Sequence, residues 1–241
     1  MKIIIVGNGV AGTFSAQNIR NLDKEVDIEI YSKEKYLYYT RIKLPEIISE
    51  LVSIDDLIVF NKDWYERNYI KTFLNNEIVR IHPKHKHIFI KNETEPISYD
   101  KLLLATGSKP NIPPIKNAVE LLKKGVFTLR TVNDAFEIRN YIEEKNAKKA
   151  IIIGGGLLGL ELARQIKNLK LDTTVVEFFP RLLPRQLDLD CGGFLREEIE
   201  NMGIKVILGA VTEEILGNNK TTGIKIKDGP KLEADIVMIQ A

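Results

Sequence analysis

The sequence predicts an α/β chain built from two copies of one strand–turn–helix unit, each opening a parallel-sheet domain. Two observations predict it. Residues 2–16 read KIIIVGNGVAGTFSA and residues 149–163 read KAIIIGGGLLGLELA. At a constant offset of 147 positions, both show lysine, an apolar run, G-x-G-x-x-G and a helix-like stretch. The second observation is composition. With 44% hydrophobic and 28% charged residues in 241 positions, the chain reads as globular and long enough for two domains of roughly 120 residues.

The opening strands come first. Lys2–Val6 and Ala150–Ile153 are short β-branched runs bounded by glycine, as expected of buried parallel strands. Gly7 and Gly154 allow the tight turn out of the strand. Gly9 and Gly156 leave room for a pyrophosphate against the backbone, and Gly12 and Gly159 let the helix pack close to the sheet. Phosphates then meet the free N–H groups of a helix N-terminus, where the helix dipole favours negative charge. One such turn alone is weak evidence, since glycine-rich turns also serve structural ends. Two copies, each followed by an amphipathic stretch (Ala16, Ile19, Leu22; Leu162, Ala163, Ile166, Leu169), make two Rossmann-like dinucleotide-binding units.

The second strands differ between the copies. Thr173–Val176 ends in Glu177, 23 residues after Gly154, where an acid would hold the adenosine ribose. That favours a free 2′-hydroxyl, so the second copy reads as an NAD(H) site. In the first copy, Val26–Ile30 leads into Tyr31 and Ser32. The acid is absent, Ser32 takes the ribose position, and the flanking Glu29 and Glu34 read as solvated charges.

Other features exclude function classes. Net charge is +2 with the signs interspersed, so no basic footprint argues for nucleic acid or an anionic membrane. The longest apolar runs are far short of the ~20 residues needed to span a bilayer. No signal-peptide pattern precedes the first strand, and a single cysteine, Cys191, excludes an internal disulfide framework. The expected location is the cytoplasm. All three histidines fall in "IHPKHKHIF" (His82, His85, His87). His85 and His87 would share a strand face, but Pro83 marks a turn between strand-like runs, so the context is the tip of a β-meander rather than a metal site.

Further segments carry a resemblance. "YDKLLLATGSKP" (Tyr99–Pro110), "GGGLLGLELA" (Gly154–Ala163), "GVFTLRTVNDA" (Gly125–Ala135) and "VVEFFPRLLPRQLD" (Val175–Asp188) resemble the FAD-dependent pyridine nucleotide–disulfide oxidoreductase superfamily over essentially the whole chain. Within it, "EKYLYYTRIKLPEII" (Glu34–Ile48) is most similar to NADH:rubredoxin reductases and the flavoprotein module of assimilatory nitrite reductases. The resemblance implies an incomplete FAD domain with a β-meander over residues 1–112 and an NAD domain over 113–241, joined by the proline-rich "SKPNIPPIKN". Gly7, Gly9, Val10, Ala11 and Gly12 would hold the FAD pyrophosphate. Arg41 would lie beside the flavin, with Lys43 either assisting or facing solvent. Ile78 would meet adenine through its backbone; Ala105, Thr106 and Gly107 would pack on FAD; and Arg130 would approach it from the hinge. Gly154, Gly156, Leu158, Gly159 and Glu177 would bind NADH. Glu161 would sit where nicotinamide meets flavin, its alternative being an ordinary surface glutamate.

The implied activity is electron transfer from NADH through FAD to a redox carrier such as rubredoxin, a ferredoxin-like protein or a nitrite-reductase-type module. Disulfide reductases of this superfamily carry C-x4-C early in the flavin segment, and residues 31–60 contain no cysteine. A flavin NADH oxidase or thiol–disulfide reductase is therefore the alternative, alongside a non-catalytic nucleotide-binding module. No side chain is assigned as catalytic acid or base, because the cofactors carry the chemistry. A homodimer is left open. "LEADIVMIQA" (Leu232–Ala241) resembles the last NAD-domain strand, which in the family leads into a second flavin segment. The expectation is a truncated form of a longer reductase whose NAD domain folds independently and whose FAD is held weakly.

Overall fold

The computed structural model describes residues 1–240. Along the chain it runs β1 (Lys2–Val6), α1 (Val10–Leu22), β2 (Asp27–Tyr31), α2 (Leu44–Ile48), α3 (Lys62–Arg67), β3 (Ile70–Phe73), β4 (Ile78–His82), β5 (His87–Ile90), β6 (Ile97–Ser98) and β7 (Lys101–Leu104). It continues through β8 (Val126–Phe127), α4 (Val132–Lys145), β9 (Lys149–Ile153), α5 (Leu157–Asn168), β10 (Asp172–Val176) and α6 (Leu189–Asn201). The last strands are β11 (Lys205–Ile207), β12 (Thr212–Leu216), β13 (Gly223–Ile226), β14 (Lys231–Glu233) and β15 (Ile236–Ile239).

The chain divides into two compact units. Met1–Thr40 with Asp55–Ser108 form the first, and Arg41–Ile54 with the chain from Lys109 onward form the second. This division departs from the expected boundary at residue 112 in two ways: it falls at Ser108, and residues 41–54 group with the second unit. The cause is α2, which packs on α4 and α5. Ser49 Oγ donates to Gln165 Oε1 at 2.7 Å, and Arg139 pairs with Glu50 at 2.5 Å.

In the first unit a parallel sheet of order β3-β2-β1-β7 puts β1 at its centre. Ile3, Ile4 and Ile5 of β1 are all buried, as a strand covered on both faces requires. The antiparallel meander β4-β5-β6 packs beside it, sharing a core of Ile4, Tyr31, Ile88, Ile90 and Tyr99. Pro83–His85 form a single 3-10 turn, so His85 does not share a strand face with His87. Arg20 is buried at the end of α1, and its guanidinium donates to the carbonyls of Asn68, Asp23, Lys24, Val26 and Tyr69. A cation so placed binds the free carbonyls of two helix ends and favours the negative end of the dipole.

The second unit repeats the plan. Its parallel sheet has the order β11-β10-β9-β15-β8, with the meander β12-β13-β14 alongside. Helix α4 starts at a capping box: Thr131 Oγ1 accepts from Asp134 N and the Asp134 carboxylate accepts from Thr131 N, an arrangement worth about 1 kcal/mol at a helix start. The order of this sheet reverses at β9, whose neighbours are β10 and β15. In open α/β sheets the crevice at such a reversal, outside the carboxyl ends of the strands, is the ligand position.

Candidate nucleotide-binding loops

The two glycine loops are near-copies in geometry as well as sequence. Gly7 N donates to Tyr31 O at 2.8 Å, and Gly154 N to Val176 O at 2.9 Å. Their φ angles are +115° and +114°, a backbone conformation open to glycine and strained for other residues. The third glycines lie under the turn. A Cβ at Gly12 would strike the Gly7 carbonyl, and one at Gly159 the Gly154 carbonyl. Close helix–strand packing therefore accounts for them.

The middle glycines have no such cause. Gly9 (φ −100°, ψ −166°) and Gly156 (φ −79°, ψ 177°) are extended and serve as the N-caps of α1 and α5. A Cβ added to either would meet no protein atom within 4 Å. Neither backbone strain nor packing calls for glycine at these two positions. An open cradle in front of helix N–H groups fits a phosphate approaching the backbone.

The residue after the second strand distinguishes the loops. Glu177 is only 6% exposed. Its Oε2 accepts from Gly155 N at 2.5 Å and its Oε1 from Phe179 N at 2.8 Å. A Cβ at Gly155 would lie 3.1 Å from Glu177 Oε2 and 2.7 Å from Leu182 Cδ2, so the glycine there makes room for the acid. Each carboxylate oxygen accepts more than one hydrogen bond, which leaves capacity for a ligand hydroxyl. In the first loop Ser32 occupies the equivalent place, and its Oγ accepts from Glu34 N at 3.2 Å.

Position 8 matches Gly155 but carries a side chain that sequence reasoning passed over. Asn8 is 9% exposed, and its Oδ1 accepts from Thr13 Oγ1 and Tyr65 OH, both at 3.0 Å. Loop, α1 and α3 are thus tied through one oxygen. Burial raises the pKa of Tyr65. The clue in the sequence is an asparagine where the second copy has glycine.

The expected flavin-side residues of the first unit gather at the carboxyl ends of β1, β2 and β7. Ala105 N donates to Val6 O at 2.8 Å, and a Cβ at Gly7 would run into the Ala105 carbonyl, so the A-T-G segment passes directly over the first turn. Thr106 and Gly107 follow it and are exposed, as are Val10 and Ala11. Asn76 N donates to Ser32 O at 2.8 Å, which brings the start of β4, with half-buried Ile78, beside the end of β2.

Arg41 and Arg130 belong to the second unit, where Arg41 Nη1 donates to the Arg130 carbonyl. With Leu44, Pro45, Leu158 and Gln240 they line a cavity of about 220 Å³ at the carboxyl end of β15. Leu158 and Glu161 are exposed near the start of α5, while Gly159 and Leu160 are buried. Lys43 is exposed.

Two expectations are corrected. Glu29 is not a solvated charge: it is 6% exposed, paired with Lys2 at 2.9 Å and accepting from Tyr31 OH at 2.9 Å. Glu34 accepts from Tyr39 OH at 2.5 Å. The cause is position, since Glu29 lies in the central strand pair β1–β2, where a carboxylate needs partners. Desolvation and the adjacent Glu29 carboxylate hold the Tyr31 hydroxyl well above the usual tyrosine range. Cys191 is exposed, and its pKa is raised chiefly by the Asp188 carboxylate, which disfavours a thiolate. Among the described residues no group of three or more His, Cys, Asp or Glu side chains could hold a metal ion, and no helix is long and apolar enough to cross a membrane.

Twin glycine loops at the carboxyl ends of two parallel sheets define a protein with two Rossmann-like units. The family model described as pyridine nucleotide-disulphide oxidoreductase matches residues 1–241, and the chain belongs to that family. It is 38% identical over 239 residues to a nitrite reductase [NAD(P)H] of Bacillus subtilis, covering 99% of this chain and 29% of that protein. It is 40% identical over 214 residues to an NADH-rubredoxin oxidoreductase of Clostridium acetobutylicum, covering 89% and 54%. Among solved structures, an NAD-dependent persulfide reductase from A. fulgidus superposes with a TM-score of 0.90 at 29% identity, covering all of this chain and 46% of that one. The chain thus spans about half or less of the length of these relatives.

Proposed function

We propose that this chain carries the nucleotide-binding machinery of an FAD-dependent NADH oxidoreductase, with FAD at the first loop and NADH at the second. The observation that carries this is the pair Gly9 and Gly156, which nothing inside the protein requires to be glycine. FAD, held at the first loop, would supply the redox chemistry, since a flavin can exchange both hydride and single electrons.

The chain's own residues bind and orient. Helices α1 and α5 present N–H groups to the pyrophosphates. Glu177 accepts from the adenosine 2′-hydroxyl of NADH and repels a 2′-phosphate, whereas Ser32 and Asn8 give the first loop no such acid. Ala105, Thr106 and Gly107 form the wall over the first loop, with Ile78 beside it. Arg41, Arg130, Leu158 and Glu161 serve the reacting ends of the two nucleotides. The acceptor is a redox carrier such as rubredoxin, a ferredoxin-like protein or a nitrite-reductase-type module, a reading supported by the likeness to the nitrite and rubredoxin reductases. A cytoplasmic location and a flavin domain over 1–112 with an NAD domain over 113–241 belong to the same proposal.

A thiol–disulfide reductase or flavin NADH oxidase is the second reading, favoured by the likeness to the persulfide reductase. Against its thiol branch stands Cys191, the one cysteine, whose thiolate Asp188 disfavours. The test is spectroscopic: the purified chain is mixed with FAD, and NADH is added without oxygen. Flavin binding followed by bleaching supports the proposal. Failure of FAD and NADH to bind at all would overturn it.

A further inference from the structure

A polar side chain is buried on α5 among apolar neighbours. Gln165 is 3% exposed beside buried Leu162 and Ile166, and an amide taken out of water is costly unless it is hydrogen-bonded. Its Oε1 accepts from Ser49 Oγ at 2.7 Å and from Asn168 Nδ2 at 3.1 Å. The Ser49 hydroxyl stands 3.3 Å from the Glu46 carbonyl, so the shorter bond to Gln165 is the one that holds it. Ser49 is the C-cap of α2. That helix has five residues, and its N-cap, Lys43, makes no side-chain capping bond. A helix so short does not sustain itself in water, so what it docks on decides its place. Leu44, Ile47 and Ile48 are buried, but apolar burial is non-directional. Of the two polar ties to α2 and its end, Glu50–Arg139 has a largely exposed acid and contributes little. The bond to Gln165 is the buried one.

The other end of α2 reaches the cavity at the end of β15. Arg41, Leu44 and Pro45 line that cavity together with Leu158 of α5. Leu158 and Gln165 are seven positions apart, which places them on one stripe of α5, two turns or about 10 Å from each other. Helix α2 therefore lies along this stripe, its start at Leu158 and its end at Gln165. From this we infer that Gln165 is a positioning residue for the nicotinamide end of NADH. Through Ser49 it fixes α2, and α2 sets where Arg41, Leu44 and Pro45 stand in the cavity wall. Gln165 lines no part of the cavity itself. The inference rests on the reading of the second loop as an NADH site with its reacting end in that cavity.

The test titrates the full chain by calorimetry with two probes, NADH and ADP-ribose, the second lacking the nicotinamide. Gln165→Leu keeps the volume and removes the acceptor. It is expected to weaken NADH about three- to tenfold, the range of one lost hydrogen bond, and to leave ADP-ribose at its wild-type affinity. Ser49→Ala removes the donor and should do the same. Because the two residues act through one bond, the double variant should lose no more than either single. Ser49→Thr, which keeps the hydroxyl, should bind NADH as the wild type does. If Gln165 served only the stability of α5, both probes would move together or neither would, so an unchanged ratio of the two affinities would overturn the inference. Losses that multiply in the double variant would overturn it as well. Should Gln165→Leu fail to fold, Ser49→Ala, at a half-buried position, decides alone. A wild-type chain that binds ADP-ribose as tightly as NADH would overturn the inference and leave the NADH reading intact. A wild-type chain that binds neither probe would overturn the functional reading, and this inference with it.

Discussion

Replacing Gly156 by alanine separates a glycine kept for the protein from one kept for a ligand. The backbone there is extended (φ −79°, ψ 177°), so alanine adopts it without strain, and the new methyl touches no protein atom within 4 Å. Removing glycine's freedom in the unfolded chain stabilises by about 0.4–1 kcal/mol. Alanine is a poorer helix N-cap than glycine, which offsets part of that gain. The net change should be within about 0.5 kcal/mol, or roughly 2 °C in melting temperature for a chain of this size. The same methyl stands where a pyrophosphate must approach, and forcing a group into filled space costs about 1–3 kcal/mol. At 1.4 kcal/mol per decade, NADH affinity should fall roughly 5- to 150-fold. Gly159→Ala is the control with the opposite signature, because its Cβ would strike the Gly154 carbonyl and lower the melting temperature. The assays are thermal unfolding and calorimetric NADH titration. A Gly156→Ala protein that melts normally and binds NADH with unchanged affinity would refute the reasoning.

Glu177→Ala removes the acceptor that holds Gly155 N and Phe179 N and the charge that repels a 2′-phosphate. NADH should bind more weakly and the NADH-over-NADPH preference should shrink by about 1–3 kcal/mol, as read from paired titrations; an unchanged preference would discount the acid. Cys191→Ser should leave NADH-dependent reduction intact, and loss of acceptor reduction with flavin still bound would revive the thiol alternative. Because the Asp188 carboxylate raises the Cys191 pKa, alkylation by iodoacetamide should be slow at neutral pH and quicken as pH rises. Asp188→Asn, which still caps α6, should move that onset to lower pH, and an identical rate profile would contradict the assignment. Tyr65→Phe takes one donor from Asn8 Oδ1 and the partner of Tyr38 N. It should destabilise the protein by about 1–3 kcal/mol and weaken FAD more than NADH, which binding titrations of both nucleotides would check.

The local plan of this protein was legible in its sequence because it rests on short-range constraints. A β-branched run, a glycine forced to positive φ at 7 and 154, and a helix packed close at 12 and 159 lie within about fifteen consecutive residues, so spacing alone reveals them. The place of Glu177 directly after β10 was legible for a related reason: its distance from Gly154 is set by one helix and one strand. What the sequence left undecided depends on residues far apart in the chain. Only the tertiary structure paired Glu29 with Lys2 in the central strands, joined Asn8 to Tyr65 across 57 positions, and moved residues 41–54 to the second unit by seating α2 on α4 and α5. Burial decides these cases, since a polar group is costly once water is removed unless a partner arrives from another element. The middle glycines show the division most clearly. The pattern marked both Gly9 and Gly156, but only the three-dimensional surroundings, empty where a side chain would stand, reveal that the protein itself does not need them.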